Sequence, residues 1–178
     1  MAQVTGILCQ IITGNVDGAG TDGRVYLGLG AREFRLDSSK DDYERGSIRE
    51  YIMGLGPLEP NIPPPQIRVL NGPRNDPRFG LPIERLNLSK TPVYIRFEPT
   101  GSYPDWNLAT AVVLVYAPQF AVAYTHTPLI IDLWLGDSYG KVLYLEEYQV
   151  QGVTGGIAEA DAERLLGAGR KLAEGFSS

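Results

Sequence analysis

Oxygen-bearing side chains gather in two short stretches of this chain. The first is Gly18-Ala19-Gly20-Thr21-Asp22, closed by Arg24-Val25-Tyr26-Leu27, and the second is Asp41-Asp42-Tyr43-Glu44-Arg45-Gly46. Carboxylates supply hard anionic oxygens, Thr21 a neutral one, and glycines let backbone carbonyls turn toward an ion. Those residue types suit a divalent cation such as calcium. Both stretches border strand-like runs, so two turns at one end of a β-sandwich would present them together. The bland alternative is that Asp22, Asp41, Asp42 and Glu44 are solvated turn residues. In that reading Asp42 and Glu44 pair with Arg45 or Arg49 as surface ion pairs, which contribute little to stability. Taken alone, the residues favour the bland reading.

Other chemistries find less support. His126 is the only histidine and sits in Tyr124-Thr125-His126-Thr127-Pro128. No partners stand at a spacing that zinc or Ser-His catalysis needs. Gly28-x-Gly30 opens no helix, so it is not a dinucleotide fingerprint. Cys9 is the single cysteine, which excludes an internal disulfide, and its apolar run marks it as core. With no nucleophile–base set and no phosphate loop, an enzyme is not expected.

Charge narrows the partners. The net charge is −5, from 16 basic and 21 acidic residues. No basic stripe is present to displace counterions, so nucleic acid is not expected. An anionic membrane would repel this surface unless a cation bridged the two. Hydrophobic content of 43% and charged content of 21% are ordinary for a globular chain, and 178 residues suit one domain. Met1-Ala2-Gln3-Val4 lacks the features of a signal peptide, and no apolar run reaches the ~20 residues of a membrane span. The expectation is a cytoplasmic protein, with peripheral membrane association open.

The elements that must position the two acidic turns are strands. Glycine (21) and proline (13) cluster between apolar runs, which favours many short strands over a helical bundle. Strands are expected over 4–13, 24–29, 31–36, 47–53, 92–98, 108–116, 119–124, 129–135 and 141–148. Residues 108–116 form a continuous apolar run, predicted to be a central strand buried on both faces. Residues 37–46 read as a loop. Residues 60–92 are proline-dense and read as an irregular flap holding two short strands, 66–70 and 83–88. A glycine link then leads to a helix over 159–176, in which Gly167 and Gly169 are expected to be weak points. Trp106 and Trp134 are expected in the core.

Four blocks, in order, resemble the PLAT domain, the polycystin–lipoxygenase–alpha-toxin or lipoxygenase homology family. Thr13-Gly14 with Gly18 to Leu27 comes first, then Asp41-Asp42-Tyr43-Glu44-Arg45-Gly46-Ser47. Pro104-Asp105-Trp106-Asn107-Leu108 and Leu133-Trp134-Leu135 complete the set. Together they span Val4 to Tyr148. Any one block is weak; four in order are specific. The resemblance implies an all-β, antiparallel two-sheet β-sandwich of eight strands with calcium in the loops at one end. By match, Gly18 and Gly20 offer carbonyls, and Thr21 and Asp22 stand at ligand positions. Asp41, Asp42 and Glu44 form a second cluster, and Asp105 completes the first. Gly18 replaces a residue that is acidic in some members, with Asp17 beside it, and Gly23 replaces another frequent acid. Val16 and Tyr103 stand where some members expose tryptophans.

The expectation is therefore a PLAT-like sandwich over 1–150, with a proline-rich insertion at 57–92 and a linker and amphipathic helix at 151–178. Its expected role is a calcium-binding module that docks to a lipid headgroup, a membrane surface or a protein partner through its acidic end loops. The alternative is a calcium-independent assembly protein that uses the insertion and the C-terminal helix. A third reading is an accessory domain acting beside a catalytic protein.

Overall fold

The computed structural model describes residues 2–54, 65–148 and 157–176. The proline run up to residue 64 and the glycine link at 152–156 lie outside them. Ten strands follow in chain order: β1 (Gly6–Thr13), β2 (Arg24–Leu29), β3 (Arg32–Leu36), β4 (Ile48–Gly54), β5 (Gln66–Arg68), β6 (Val93–Glu98), β7 (Asp105–Ala117), β8 (Phe120–Thr125), β9 (Leu133–Gly136) and β10 (Val142–Glu147). Two helices, α1 (Arg85–Lys90) and α2 (Glu159–Phe176), complete the described elements.

The strands pair in the order β3-β2-β6-β10-β8-β7-β1-β4-β5, with β9 added on β7. The β4–β5 pair is parallel and the other pairs are antiparallel. β10 belongs to both halves: residues 142–145 pair with β6, and 146–147 pair with β8. That shared strand joins two sheets into one curled, sandwich-like all-β fold. The fold class agrees with the sequence reading, with ten strands among the described residues where the resemblance implied eight.

Strand alternation explains the inner layer. Val25, Leu27 and Leu29 of β2, and Val93, Ile95 and Phe97 of β6, are buried, while Arg24 between sheet and solvent is exposed. From Leu108 on, β7 is apolar but for Thr110, because both its faces are covered. Ala111, Val113 and Val115 face the inter-sheet core, whereas Val112 and Leu114 pack against Ala162, Leu165 and Leu166 of α2. Trp106 anchors the core at zero exposure. Its indole Nε1 donates to Thr13 Oγ1 at 3.1 Å, and its ring contacts Tyr43 and Phe97 with centroids 5.4 and 5.6 Å away.

α2 has the expected bounds and docks on this chain's own β1 and β7. Gly169 acts there as a contact point: a Cβ would lie 2.1 Å from Gln10 Oε1. The same contact is locked by charge. Glu50 is fully buried and accepts from Arg170 Nε and Nη2, each at 2.8 Å, and from Gln10 Nε2 at 2.9 Å. Gln10 Nε2 also donates to the Leu166 carbonyl at 3.0 Å.

Three sequence expectations change. Residues 83–88 are not a strand: α1 starts at Arg85, where Asn87 Oδ1 accepts from the Glu84 backbone N–H at 2.8 Å. That local side-chain bond competes with extended pairing. The strand expected over 129–135 begins only at Leu133, because Asp132 adopts a φ of 44° that breaks the extended chain. Trp134 is half-buried, stacked on Tyr139 with centroids 6.0 Å apart, and so lies at a sheet edge, outside the inter-sheet core.

Within the flap, residues 70–81 run along the outer edge of β3. Leu70 N–H donates to the Asp37 carbonyl at 2.7 Å, and Asn75 Oδ1 accepts from Arg35 N–H at 2.8 Å. This strap covers backbone groups that an edge strand otherwise presents to other chains. Among the described residues, no helix is long and apolar enough to cross a membrane.

Candidate functional site

Three loops meet at the end of the sandwich where β2 begins and β7 starts. Thr21 Oγ1 donates to the Tyr103 carbonyl at 2.7 Å and accepts from Gly23 N–H at 3.0 Å. Thr21 N–H donates to the Tyr43 carbonyl at 3.1 Å, and Asn107 N–H donates to the Ala19 carbonyl at 3.0 Å. The Thr100 hydroxyl donates to the Asp22 carbonyl at 3.0 Å. Gly20 makes the close approach possible, since a Cβ there would sit 3.2 Å from both Arg45 N and the Tyr43 carbonyl oxygen. Turns far apart in the chain are thereby stitched by backbone contacts.

Two cavities flank this junction. One, of about 340 Å³, is lined by Asp22, Asp37, Asp41 and Asp42 together with Arg24, Arg35 and Lys40. The other, of about 260 Å³, is lined by Gly18, Gly20, Thr21, Asp22, Glu44 and Tyr103, with Arg45 at its side. Asp22 and Thr21 line both. The structure thus gathers Asp22 with Asp41 and Asp42 in one cavity, and Asp22 with Glu44 and the glycine turn in the other. Asp105 lines neither. It opens β7, and among the described residues its Oδ1 is buried without a hydrogen-bond partner, packed where a side chain on Gly136 would stand.

The acidic residues differ in how free they are. Asp42 is buried, and its carboxylate accepts from Ser38 N–H at 2.6 Å, Ser38 Oγ at 2.5 Å and Arg49 Nε at 3.2 Å. Arg49 Nη2 also donates to the Asp41 carbonyl at 2.7 Å, so one arginine organises this loop. The Asp42–Arg49 pair stood among the surface ion pairs of the alternative reading; its buried setting was not expected. Asp17 pairs with Arg45, and Asp37 with Arg35. Asp22, Asp41 and Glu44 are exposed, and among the described residues their carboxylates make no ion pair. Lys40, Asp37 and the Tyr103 carbonyl were not singled out from sequence. The acidic character of 37–46 was the only signal for the first two, and a backbone carbonyl carries none.

Beneath the loops, Tyr43 donates its hydroxyl to the Leu36 carbonyl. Burial first, then the neighbouring Tyr51 and Asp42, holds its phenol far above the ordinary tyrosine range. Cys9 is buried, and desolvation pushes its thiol up, as suits a core residue. His126 Nδ1 lies 3.2 Å from the Pro128 carbonyl oxygen, in the turn where the sequence placed it.

Calcium takes six to eight oxygens in flexible geometry. The second cavity fits that chemistry better than the first. It joins two carboxylates that make no ion pair among the described residues to a glycine turn, with one arginine, Arg45, in its lining, whereas the first is lined by Arg24, Arg35 and Lys40. Among the described residues, no three acidic, histidine or cysteine side chains are preassembled around one point.

Comparison with family models and with curated proteins finds no match. Among solved structures, alpha toxin from Clostridium absonum superposes with a TM-score of 0.49 at 19% identity, covering 82% of this chain and 32% of the toxin. Coral 8R-lipoxygenase, described as calcium-activated via a C2-like domain, superposes with a TM-score of 0.45 at 15% identity, covering 89% of this chain and 19% of the enzyme. The chain spans a third of the toxin's length or less, and under a fifth of the lipoxygenase's.

Proposed function

We propose that this chain is a calcium-binding β-sandwich module of PLAT type, a docking domain rather than a catalyst. One observation supports it above the others: three loops distant in sequence converge so that Asp22 stands in the wall shared by two polar cavities. Asp22 and Glu44 would hold the ion with oxygens of the 18–22 turn. Asp41 adds a free carboxylate across the shared wall, and Asp42 holds the loop in place. Calcium supplies positive charge that neutralises these loops. The neutralised end, with Val16 and Tyr103 exposed beside it, then meets a lipid headgroup or an acidic partner surface. The alternative, assembly through α2, is disfavoured by one contact: α2 buries its apolar stripe on its own sheet.

Calcium titration into metal-free protein tests this reading. Wild-type protein is expected to bind with measurable heat and to melt higher in millimolar calcium. Asp22→Asn with Glu44→Gln is expected to lose both responses while keeping its circular dichroism spectrum. A wild-type protein without heat or melting shift removes the site.

A further inference from the structure

Between α2 and the segment that precedes β9 lies a third cavity, of about 240 Å³. Thr110 of β7 and Gly169 of α2 are buried and form its floor. Leu129 and Leu172 are half-buried and make its walls, and the exposed Ile130 and Ala168 stand at its mouth. Both sides are fixed to the sheet. Ile131 N–H donates to the Ala109 carbonyl at 2.9 Å, and Asn107 Nδ2 donates to Asp132 Oδ1 at 2.9 Å, which holds 129–132 on β7. On the other side, Arg170 on Glu50 and the Leu166 carbonyl on Gln10 hold α2 in place.

The lining is aliphatic except for one group. Among the described residues, no charged or aromatic side chain lines the cavity. Thr110 shares the face of β7 from which Val112 and Leu114 meet α2, so its side chain stands toward the helix layer. It is 1% exposed, and among the described residues its Oγ1 has no hydrogen-bond partner. A buried hydroxyl left unbonded destabilises the fold, so this one calls for a polar atom from a ligand or from water.

We propose that this cavity is a binding site for a small neutral aliphatic molecule with one hydroxyl group, a medium-chain alcohol, whose oxygen meets Thr110 and whose chain lies between Leu129 and Leu172. Size limits the ligand. An apolar cavity of about 150 Å³ holds benzene, so by proportion roughly nine or ten non-hydrogen atoms fit here, fewer than in the ligands of pockets of about 300–1,000 Å³. A carboxylate would be buried without a cation, since Arg170 is committed to Glu50. A planar ring would find no aromatic face to stack on. A protein partner needs roughly 800 Å² from each side, more than this mouth offers. The site uses neither Asp22 nor Glu44, so it stands apart from the calcium reading.

Isothermal titration of 1-octanol, which has the expected size, into the full chain in EDTA tests it. Wild-type protein is expected to bind one molecule saturably and to take up no octanoate at neutral pH. Thr110→Val keeps the shape and removes the hydroxyl. It is expected to weaken 1-octanol binding about threefold to tenfold while melting no lower than wild type. A hydroxyl that only bonds water predicts no such loss. Ala168→Leu, at the exposed mouth, is expected to weaken binding by at least about tenfold by filling the cavity, with an unchanged melting temperature as the folding control. Asp22→Asn with Glu44→Gln should bind 1-octanol like wild type. The proposal is overturned if wild-type protein shows no saturable binding, if octanoate binds as well as 1-octanol, or if Thr110→Val or Ala168→Leu binds as tightly as wild type. It is also overturned if 1-octanol instead dissolves a dimer seen by sedimentation velocity, which would assign the cavity to a second copy of the chain.

Discussion

The helix-covered face and the loop end each present carboxylates, and they treat them in opposite ways. On the helix side, Glu50 is fully buried and saturated by Arg170 and Gln10. At the loop end, Asp22, Asp41 and Glu44 stand exposed and make no ion pair among the described residues, and of these four acids only Asp42 is drawn inside, by Ser38 and Arg49. A buried carboxylate is affordable only with charge and hydrogen bonds around it, so it is committed to the fold. An exposed one without a partner repels its neighbours slightly and remains free for an ion. The difference separates acids that build this protein from acids that can serve a ligand.

The comparison breaks most completely in alkali, because one pair of phenols ties the two regions. Tyr51 lies in β4 next to Glu50, Tyr43 lies in the acidic loop, and their ring centroids are 6.3 Å apart. Desolvation raises both pKa values in the folded state. The stability this represents is whole below the unfolded tyrosine pKa of about 10 and is lost as pH rises beyond it. Both regions are therefore expected to unfold together above pH 10, with phenolate absorbance and loss of circular dichroism coinciding. Tyr124, raised by burial to about 12, joins the same transition. Phenolate appearing well before unfolding would separate the two regions.

Arg170→Ala is expected to cost about 3–5 kcal/mol, because it leaves the Glu50 charge buried and unpaired. Urea denaturation measures this, and a cost under 1 kcal/mol would mean that α2 does not depend on the pair. Asp42→Ala is expected to cost about 2 kcal/mol through lost charge-assisted hydrogen bonds to Ser38 and the half-buried Arg49. Its calcium response should weaken only as far as the loop loosens. Asp22→Asn gives the smallest effect on folding, within about 0.5 kcal/mol by denaturation, yet it is expected to remove most of the calcium-induced melting shift. If Asp22→Asn proves as costly as Asp42→Ala, the distinction between committed and free carboxylates fails.

Much of the frame was legible because burial writes a period into the chain. β2 and β6 alternate as half-buried strands must, and α2 runs from Glu159 to Phe176 as its spacing predicted. The unbroken apolar run of β7 announced a strand covered on both sides, although it did not say that α2 supplies the outer cover. Short-range competition hid other features. The Asn87 side chain turned 85–90 into helix, and the backbone of Asp132 shortened β9. At the loop end, acidic composition pointed to 18–22 and 41–44. It did not distinguish Asp42 from Asp41, since only the approach of Arg49 and the depth of the loop do so. Nor did it place Asp105, whose carboxylate turns toward Gly136.

By itself the amino-acid order determined where most of the strands and the last helix lie, because periodicity and turn chemistry act over a few residues; α1 and the start of β9 are the exceptions. It also determined which turns carry oxygen donors. The tertiary structure alone decided which carboxylates are neutralised, which remain open, and that Asp22 stands between two cavities. Those outcomes depend on groups brought together from distant positions, where desolvation and pairing set the fate of each charge.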